Sequence, residues 1–298
     1  MPDSMVQLFT KQYEDSLELA LQQTDSRFMD KFMSGSHTDK GAAVLDLLDA
    51  VSMRPVSGAF EPMGRVSQNY TRRWLAPGKF DLPLLVDQFE QLESSQDPKS
   101  ALVQATRAAI ERQKDDMCIA AFFGDALTGT DGTTSTTWAS EGANQVVAVT
   151  VGGGGSATGL NVEKLRAARK ILKKNEVDFD REQVFLGYNA EADDDLLGEA
   201  QIISREYNER LVLKDGRIEY FMGFSFVPTE RLPVDGSSYR RLPVWTKSGM
   251  HFGTWMPPKT SIDQRKDLQG YPWQVYTMAS FNATRRDAKR VVEIKIAE

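Results

Sequence analysis

The side chains able to move protons near neutral pH are few: two histidines, His37 and His251, and one thiol, Cys118. Imidazole is the commonest acid–base group in that range. His37 lies in the polar stretch MSGSHTDKG and His251 precedes Phe252-Gly253. Neither has a Ser or Cys nucleophile in a recognisable frame, so both read as structural. A single cysteine makes no intrachain disulfide and no cysteine-based metal site.

The nearest approach to a cofactor motif is the apolar run QVVAVTV at 145–151, followed by four glycines at 152–155. Gly152, Gly154 and Ala157 match G-x-G-x-x-A, a loop that sets a pyrophosphate on a helix N-terminus. Glu176 and Asp178 follow at about the expected distance. The helix cap, however, falls at Asn161, past the glycines, which takes dipole and loop out of register with a phosphate. A G-x-x-x-x-G-K-[ST] loop is absent from the sequence. A connector is the expectation here. The alternative is a nucleotide-binding enzyme using residues 152–157.

Three charged clusters remain. Asp193-Asp194-Asp195 would suit a metal, but acids at a helix start also complement its dipole, and capping is the simpler reading. The helix expected over Val162–Lys174 places Leu165, Ala168, Ile171 and Leu172 inward and Lys164, Arg166, Arg169, Lys170, Lys173 and Lys174 outward. Such a face meets either solvent or phosphates. Arg72-Arg73-Trp74 combines the residue types that dominate protein–protein contacts.

The elements that must position these groups follow from periodicity. Met5, Phe9, Tyr13, Leu17 and Leu21 mark an amphipathic first helix. A loop is expected over 34–41. Between 53 and 91, Pro55, Pro62, Pro77 and Pro83 with three glycines forbid a long helix and leave an extended arm with little core of its own. Asp97 as cap and Pro98 at the first position then open a helix over Lys99–Phe123 that would run roughly 40 Å and stop at Gly124. Its apolar side is Leu102, Ala105, Ala109, Ile110, Met117, Ala120 and Ala121; its charged side is Arg107, Arg112, Lys114, Asp115 and Asp116. Further strands are expected at 183–188, 217–227, 242–245, 273–281 and 291–297, and a helix over 193–207. Helices and strands interleave without a strict βαβ rhythm, so the fold class is α+β.

Composition narrows the function. The 298 residues carry 36 Lys+Arg against 42 Asp+Glu, a net charge of −6, with 41% hydrophobic and 26% charged residues. This is a globular composition, and its mild acidity argues against a dedicated nucleic-acid binder. An apolar run of about 18 residues is absent from the sequence, so no membrane span is expected, and MPDSMVQLFTKQYEDS, without a basic region followed by an apolar run, is not expected to act as a secretory leader.

The stretch 65–132 carries Arg65, Tyr70-Thr71-Arg72-Arg73, Pro77, Phe80, Val86-Asp87, Glu90, Asp97-Pro98, Arg107, Arg112, Asp115-Asp116 and GDALTG at 124–129. With the order of elements around it, this resembles the major capsid proteins of tailed double-stranded DNA bacteriophages, the Hong Kong phage or Johnson capsid fold. The resemblance implies an N-terminal arm and helix over 1–48 and an E-loop over 49–92. It further implies a peripheral domain with the spine helix over 93–132, a mainly axial domain over 133–265, and C-terminal strands over 266–298 returning to the peripheral domain.

The role so implied is structural rather than enzymatic. Pentamers and hexamers of the chain itself would close an icosahedral shell around packaged double-stranded DNA, touched weakly and without specificity. Arg65, Tyr70, Arg72, Arg73, Trp74, Phe80, Asp87 and Glu90 would meet neighbouring subunits, and Arg107, Arg112, Asp115 and Asp116 would lie on the spine helix. The implied partners are scaffolding, portal and decoration proteins, with no cofactor and no membrane. The implied place is the virion capsid, assembled in the host cytoplasm. The alternative within the same fold is an encapsulin-like nanocompartment shell, enclosing an enzyme instead of a genome.

Overall fold

The computed structural model describes residues 23–48, 51–53, 58, 68, 70–86, 99–199, 213–214 and 217–298. The expected first helix, and Asp97 and Pro98, lie outside them. In chain order come β1 (Met33–Ser36), β2 (Ala42–Leu48), β3 (Tyr70–Leu75), β4 (Lys79–Val86), α1 (Lys99–Phe123), β5 (Ala126–Thr128), β6 (Thr134–Thr136), α2 (Trp138–Glu141) and β7 (Val146–Val147). Then follow α3 (Val162–Lys174), β8 (Val184–Tyr188), α4 (Ala190–Gly198), β9 (Leu213–Lys214), β10 (Arg217–Ile218), β11 (Tyr220–Phe221), β12 (Phe224–Pro228), β13 (Arg240–Thr246), β14 (Met250–Gln264), β15 (Trp273–Arg285) and β16 (Val291–Ile296). The class is α+β. The described residues divide between two compact units, one drawn from Met1–Ser26, Lys79–Gln113 and Met256–Ser280, the other from Arg27–Gly78, Lys114–Trp255 and Phe281–Glu298.

The second unit is built on a six-stranded sheet, β11-β12-β8-β13-β16-β7, of mixed direction. On one face Val184, Leu186, Leu242, Val244, Val292 and Ile294 pack with Leu165, Ala168 and Leu172 of α3 and Ala192 and Leu196 of α4. The other face holds Phe185 and Trp245, whose rings lie 5.7 Å apart. Strands covered on both faces lose their polar alternation, which is why β8 is buried at every position.

Against that second face sits an aromatic cluster of Phe28, Phe32, Phe122 and Trp245, each at most 1% exposed. Phe122 comes from the last turn of α1, and its ring centroid is 4.7 Å from that of Trp245. Asp115, two turns earlier on α1, is fully buried because its carboxylate accepts the backbone amides of Arg27 (3.0 Å) and Phe28 (3.4 Å). Among the described residues, the buried positions of α1 are Thr106, Ala108, Asp115, Cys118, Ile119 and Phe122. The alanine-rich side expected from sequence is displaced around the helix, and Ala120 is exposed. Small residues gave no preferred direction, whereas a ring and a hydrogen-bonded carboxylate do.

The C-terminal end of α1 lacks a basic residue in its last turn. Arg285 supplies one from the end of β15. Its Nη1 donates to the carbonyls of Phe122 (2.9 Å) and Gly124 (3.1 Å), satisfying orphan acceptors at the negative end of the helix dipole. Its Nη2 pairs with Glu141 at 3.2 Å, and the other oxygen of Glu141 takes Arg73 at 2.6 Å. The guanidinium lies 4.9 Å from the Trp138 ring centre. Burial pushes the Arg285 pKa down, against the pull of Glu141. Beside it, Glu293 accepts from Trp138 (2.5 Å) and from both ends of Arg241 (2.7 and 3.0 Å), whose guanidinium covers the Phe123 ring.

Elsewhere in this unit, β2-β3-β5-β6 make an antiparallel ribbon, and β1 runs parallel to the start of β14. In the first unit β4 pairs antiparallel with β15 from Lys79↔Ser280 to Val86↔Trp273. Pro83 is tolerated because β4 is an edge strand. Thr260 and Thr277 hydroxyls meet at 2.9 Å between β14 and β15, and Arg265 reaches Gln274 at 3.0 Å.

Several elements differ from the sequence reading. Part of the expected loop 34–41 is strand β1, recruited by β14. The expected strand 145–151 shortens to Val146–Val147, since the chain turns at Ala148. The run 217–227 breaks into three strands, the last two joined by a two-residue hairpin turn at Met222 (φ 52°) and Gly223 (φ 93°). The late strands separate, β15 lying beside β4 and β16 in the six-stranded sheet.

Phe122→Ala is expected to lower stability by about 3–5 kcal/mol in chemical denaturation, because its cavity lies among three other rings. Arg285→Met is expected to cost about 3 kcal/mol, leaving helix carbonyls without donors. Arg72→Met, at an exposed pair, should leave the unfolding midpoint unmoved. An Arg285→Met midpoint equal to that of the unsubstituted protein would show that solvent satisfies those carbonyls instead.

Candidate functional site

Gly152, Gly154 and Gly155 take positive φ, as expected of a tight turn. That turn is wrapped around Thr158, whose amide donates to the Val149 carbonyl (3.1 Å) and whose hydroxyl donates to that of Val151 (3.1 Å). Asn161 donates to the Val151 carbonyl at 3.0 Å and accepts the Lys164 amide at 2.8 Å. A Cβ on Gly152 would lie 2.3 Å from the Asn161 amide nitrogen. The α3 N-terminus is thus capped by its own Asn161, and the glycines serve a turn held by the same side chain.

Lys164 corrects the expected outer face of α3. Its side chain bends back toward the helix start, as helix geometry directs, and is fully buried. The ammonium donates to the carbonyls of Thr158 (2.6 Å), Gly159 (2.8 Å) and Lys295 (3.1 Å). Burial lowers its pKa to about 8. Arg166, Lys170, Lys173 and Lys174 are exposed, while Arg169 covers the Phe179 ring.

The acidic run lies inside α4, whose cap is Asn189 and whose first turn holds Glu191 and Asp193. Asp195 accepts the Leu160 amide at 2.8 Å, a tertiary clamp that the capping reading did not foresee. Burial and Asp194 raise the Asp193 pKa. The expected helix 193–207 is observed over Ala190–Gly198, and residues 200–212 lie outside the described chain. Among the described residues no group of three or more His, Cys, Asp or Glu is arranged to hold a metal, and no helix is long and apolar enough to cross a membrane.

The remaining candidate is the ribbon surface around β3. Its exposure alternates, so Tyr70 and Arg72 face out while Arg73 and Leu75 face in. Tyr70 is 68% exposed, and its register partner Leu48 is 51% exposed. Val51 and Met53, beyond the end of β2, are exposed as well. Arg72 grips Asp46 of the neighbouring strand with Nε–Oδ1 2.5 Å and Nη2–Oδ2 3.0 Å. The bond to Arg72 lowers the Asp46 pKa and raises that of Arg72. Trp74 donates to the Gly129 carbonyl at 2.8 Å and lies over Gly132, where a Cβ would come within 2.7 Å of the ring. Between these groups a cleft of about 420 Å³ is lined by Asp46, Tyr70, Thr71, Arg72 and 128–130.

Arg73 departs from the expectation of an outward contact. It is 4% exposed and bound to Glu141 of its own chain, because strand alternation turns it to the side opposite Arg72. Phe80 is half-buried in β4, in the first unit. Arg65, Asp87 and Glu90 lie outside the described residues. On α1, Arg107 is exposed beside a cleft of about 260 Å³, with Ile110, Glu111 and Pro258. Arg112 donates to the Gln23 carbonyl at 3.2 Å, and Asp116 is gripped bidentately by Arg231. Asp46, Glu141, Arg285 and Glu293 were missed by sequence reading. Each pairs with a residue at least 26 positions away, so no local spacing marks it.

The family model for phage capsid proteins matches residues 6–298. No curated protein sequence matches. Among solved structures, the chain is similar to a capsid chain of cyanophage Pam1, with TM-score 0.74 at 12% identity over 96% of each chain. It is similar to the capsid of cyanophage P-SCSP1u, with TM-score 0.73 at 12% identity, covering 98% of this chain and 94% of that one. It is also similar to the capsid of the native GTA particle, with TM-score 0.62 at 13% identity, covering 98% and 96%. These likenesses establish the Hong Kong phage capsid fold. With the family model spanning all but the first five residues, the chain belongs to the phage capsid protein family.

Proposed function

We propose that copies of this chain close through pentamers and hexamers into the icosahedral head of a tailed phage, around its double-stranded DNA. The observation that carries this reading is the family match over 6–298, and the outward ribbon supports it physically. Leu48 and Tyr70, register partners at the β2–β3 end beside Arg72, are exposed, as are Val51 and Met53 further along the chain, and all four are apolar or amphipathic. Exposed groups of this kind fit contacts between protein surfaces. Arg65, Asp87, Glu90, Trp74 and Phe80 belong to the same proposed contact set, whereas Arg73 acts by holding β3 from within.

The chain's work on this reading is geometric and not catalytic. A net charge of −6 fits a wall that DNA slides past with weak, non-specific contact. Scaffolding, portal and decoration proteins complete the partners. Assembly takes place in the host cytoplasm and the protein ends in the virion.

Negative-stain imaging of the expressed chain, with its scaffold, is expected to show closed shells of uniform size; unassembled chains under every condition would defeat the reading. Tyr70→Ala combined with Arg72→Glu is expected to leave the circular dichroism unchanged and to cut the sedimenting particle fraction several-fold. An unchanged particle yield would remove the ribbon from the contact set.

A further inference from the structure

His37 and His251 touch each other. Nε2 of His37 lies 3.0 Å from Nε2 of His251, across the parallel pairing of β1 and β14. The packing around them is reciprocal. Gly35 and Gly253 are register partners, and each makes room for the ring from the other strand. A Cβ on Gly35 would sit 2.9 Å from Cε1 of His251, and one on Gly253 would sit 2.7 Å from Cδ2 of His37. The His37 amide donates to the Thr254 carbonyl at 2.9 Å, and the Trp255 ring covers His37 at 5.2 Å. β1 is a four-residue edge strand whose only strand partner, among the described residues, is β14.

An N–H···N bond needs one ring to donate and the other to offer a lone pair. The pair therefore holds with neither ring or one ring protonated. A second proton removes the only lone pair and sets two cations 3.0 Å apart. The surroundings add to that repulsion. Arg286, from the segment after β15, faces His251 while bonded to the Ser248 carbonyl (3.2 Å) and the Met33 sulfur (2.5 Å). Asp39 and Lys40, on the chain after His37, are both exposed to solvent. β3 brings the apolar side chain of Leu75 against Gly253.

We propose that His37 and His251 form a proton-operated latch that holds strand Met33–Ser36 on β14 at neutral pH and releases it when the second imidazole is protonated. Burial, then His37, then Arg286 lower the His251 pKa to about 4 from 6.5. A folded-state pKa below the unfolded one means that the latched state is at full strength above about 6.5 and weakens as pH falls toward about 4. The segment so released, residues 33–37, follows directly on Phe28 and Phe32, which stay anchored in the aromatic cluster.

Hydrogen–deuterium exchange on the full chain tests this, with rates corrected for the intrinsic effect of pH. Protection of peptides covering 33–37 is expected to fall roughly tenfold or more between pH 7 and pH 5, while peptides covering 240–246 keep theirs. His251→Gln, whose amide hydrogen-bonds but does not titrate, should flatten the pH dependence. Protection that stays level in the unsubstituted chain, or falls equally in His251→Gln, would overturn the latch. Imidazole nitrogen NMR of the unsubstituted protein gives a second readout independent of any variant. A His251 ring titrating well below 6 supports the latch; one titrating at the ordinary 6.5 contradicts it.

Discussion

The structure of the larger unit turns on one buried guanidinium. Helix α1 ends inside the protein with no cation of its own in the last turn, so its terminal carbonyls need donors from elsewhere. Arg285 provides them and is kept charged by Glu141, which Arg73 also holds. Taking two guanidiniums and a carboxylate out of water is costly unless the geometry is fully used. The triad draws on the end of β15, strand β3, the short helix α2 and the last turn of α1, and it leaves Nε and Nη1 of Arg73 and Nε of Arg285 buried without a hydrogen-bond partner. Two turns back along α1, Asp115 does the complementary task by accepting the amides of Arg27 and Phe28. Between these two points Phe122 is pressed against Phe28, Phe32 and Trp245.

That junction gives a member of the phage capsid protein family a firm base for its outward ribbon. The six-stranded sheet is covered by α3 and α4 on one face and by the aromatic cluster on the other, so its strands are locked from both sides. The β2–β3 ribbon grows out of this base through Arg73 and Leu75, which face inward, and carries Tyr70 and Arg72 outward. The same strand therefore joins the interior charge network to the surface offered for contact. A tile needs both properties: a body that keeps its shape, and a surface with exposed groups to offer a neighbour.

Much of this was legible in the sequence where the signal is local. The bounds Lys99–Phe123 followed from a run without Pro or Gly that ends at Gly124, and the α3 cap at Asn161 followed from its position before an amphipathic repeat. The α+β class and the capsid resemblance followed from element order and the motifs at 65–132. What was not legible depends on pairing at long range. Nothing near Arg285 in NATRRDAKR says that it will cap a helix ending more than 160 residues earlier. Lys164 looks like one more basic residue on a basic face, and only the nearby carbonyls of 158, 159 and 295 draw it inside. Arg73 and Arg72 are adjacent and of one type, and the period-two alternation of a strand assigns them opposite fates.

Buried charges and rings tie the end of α1, the segment at Phe28–Phe32 and the six-stranded sheet together, so the three are expected to unfold as one unit. Native-state hydrogen exchange under increasing denaturant measures this directly. Amides of 118–122, Val184–Tyr188 and Val291–Ile296 should merge into a single isotherm at the global unfolding free energy. Exchange of 118–122 through a separate opening of markedly lower free energy, with the sheet still protected, would contradict it.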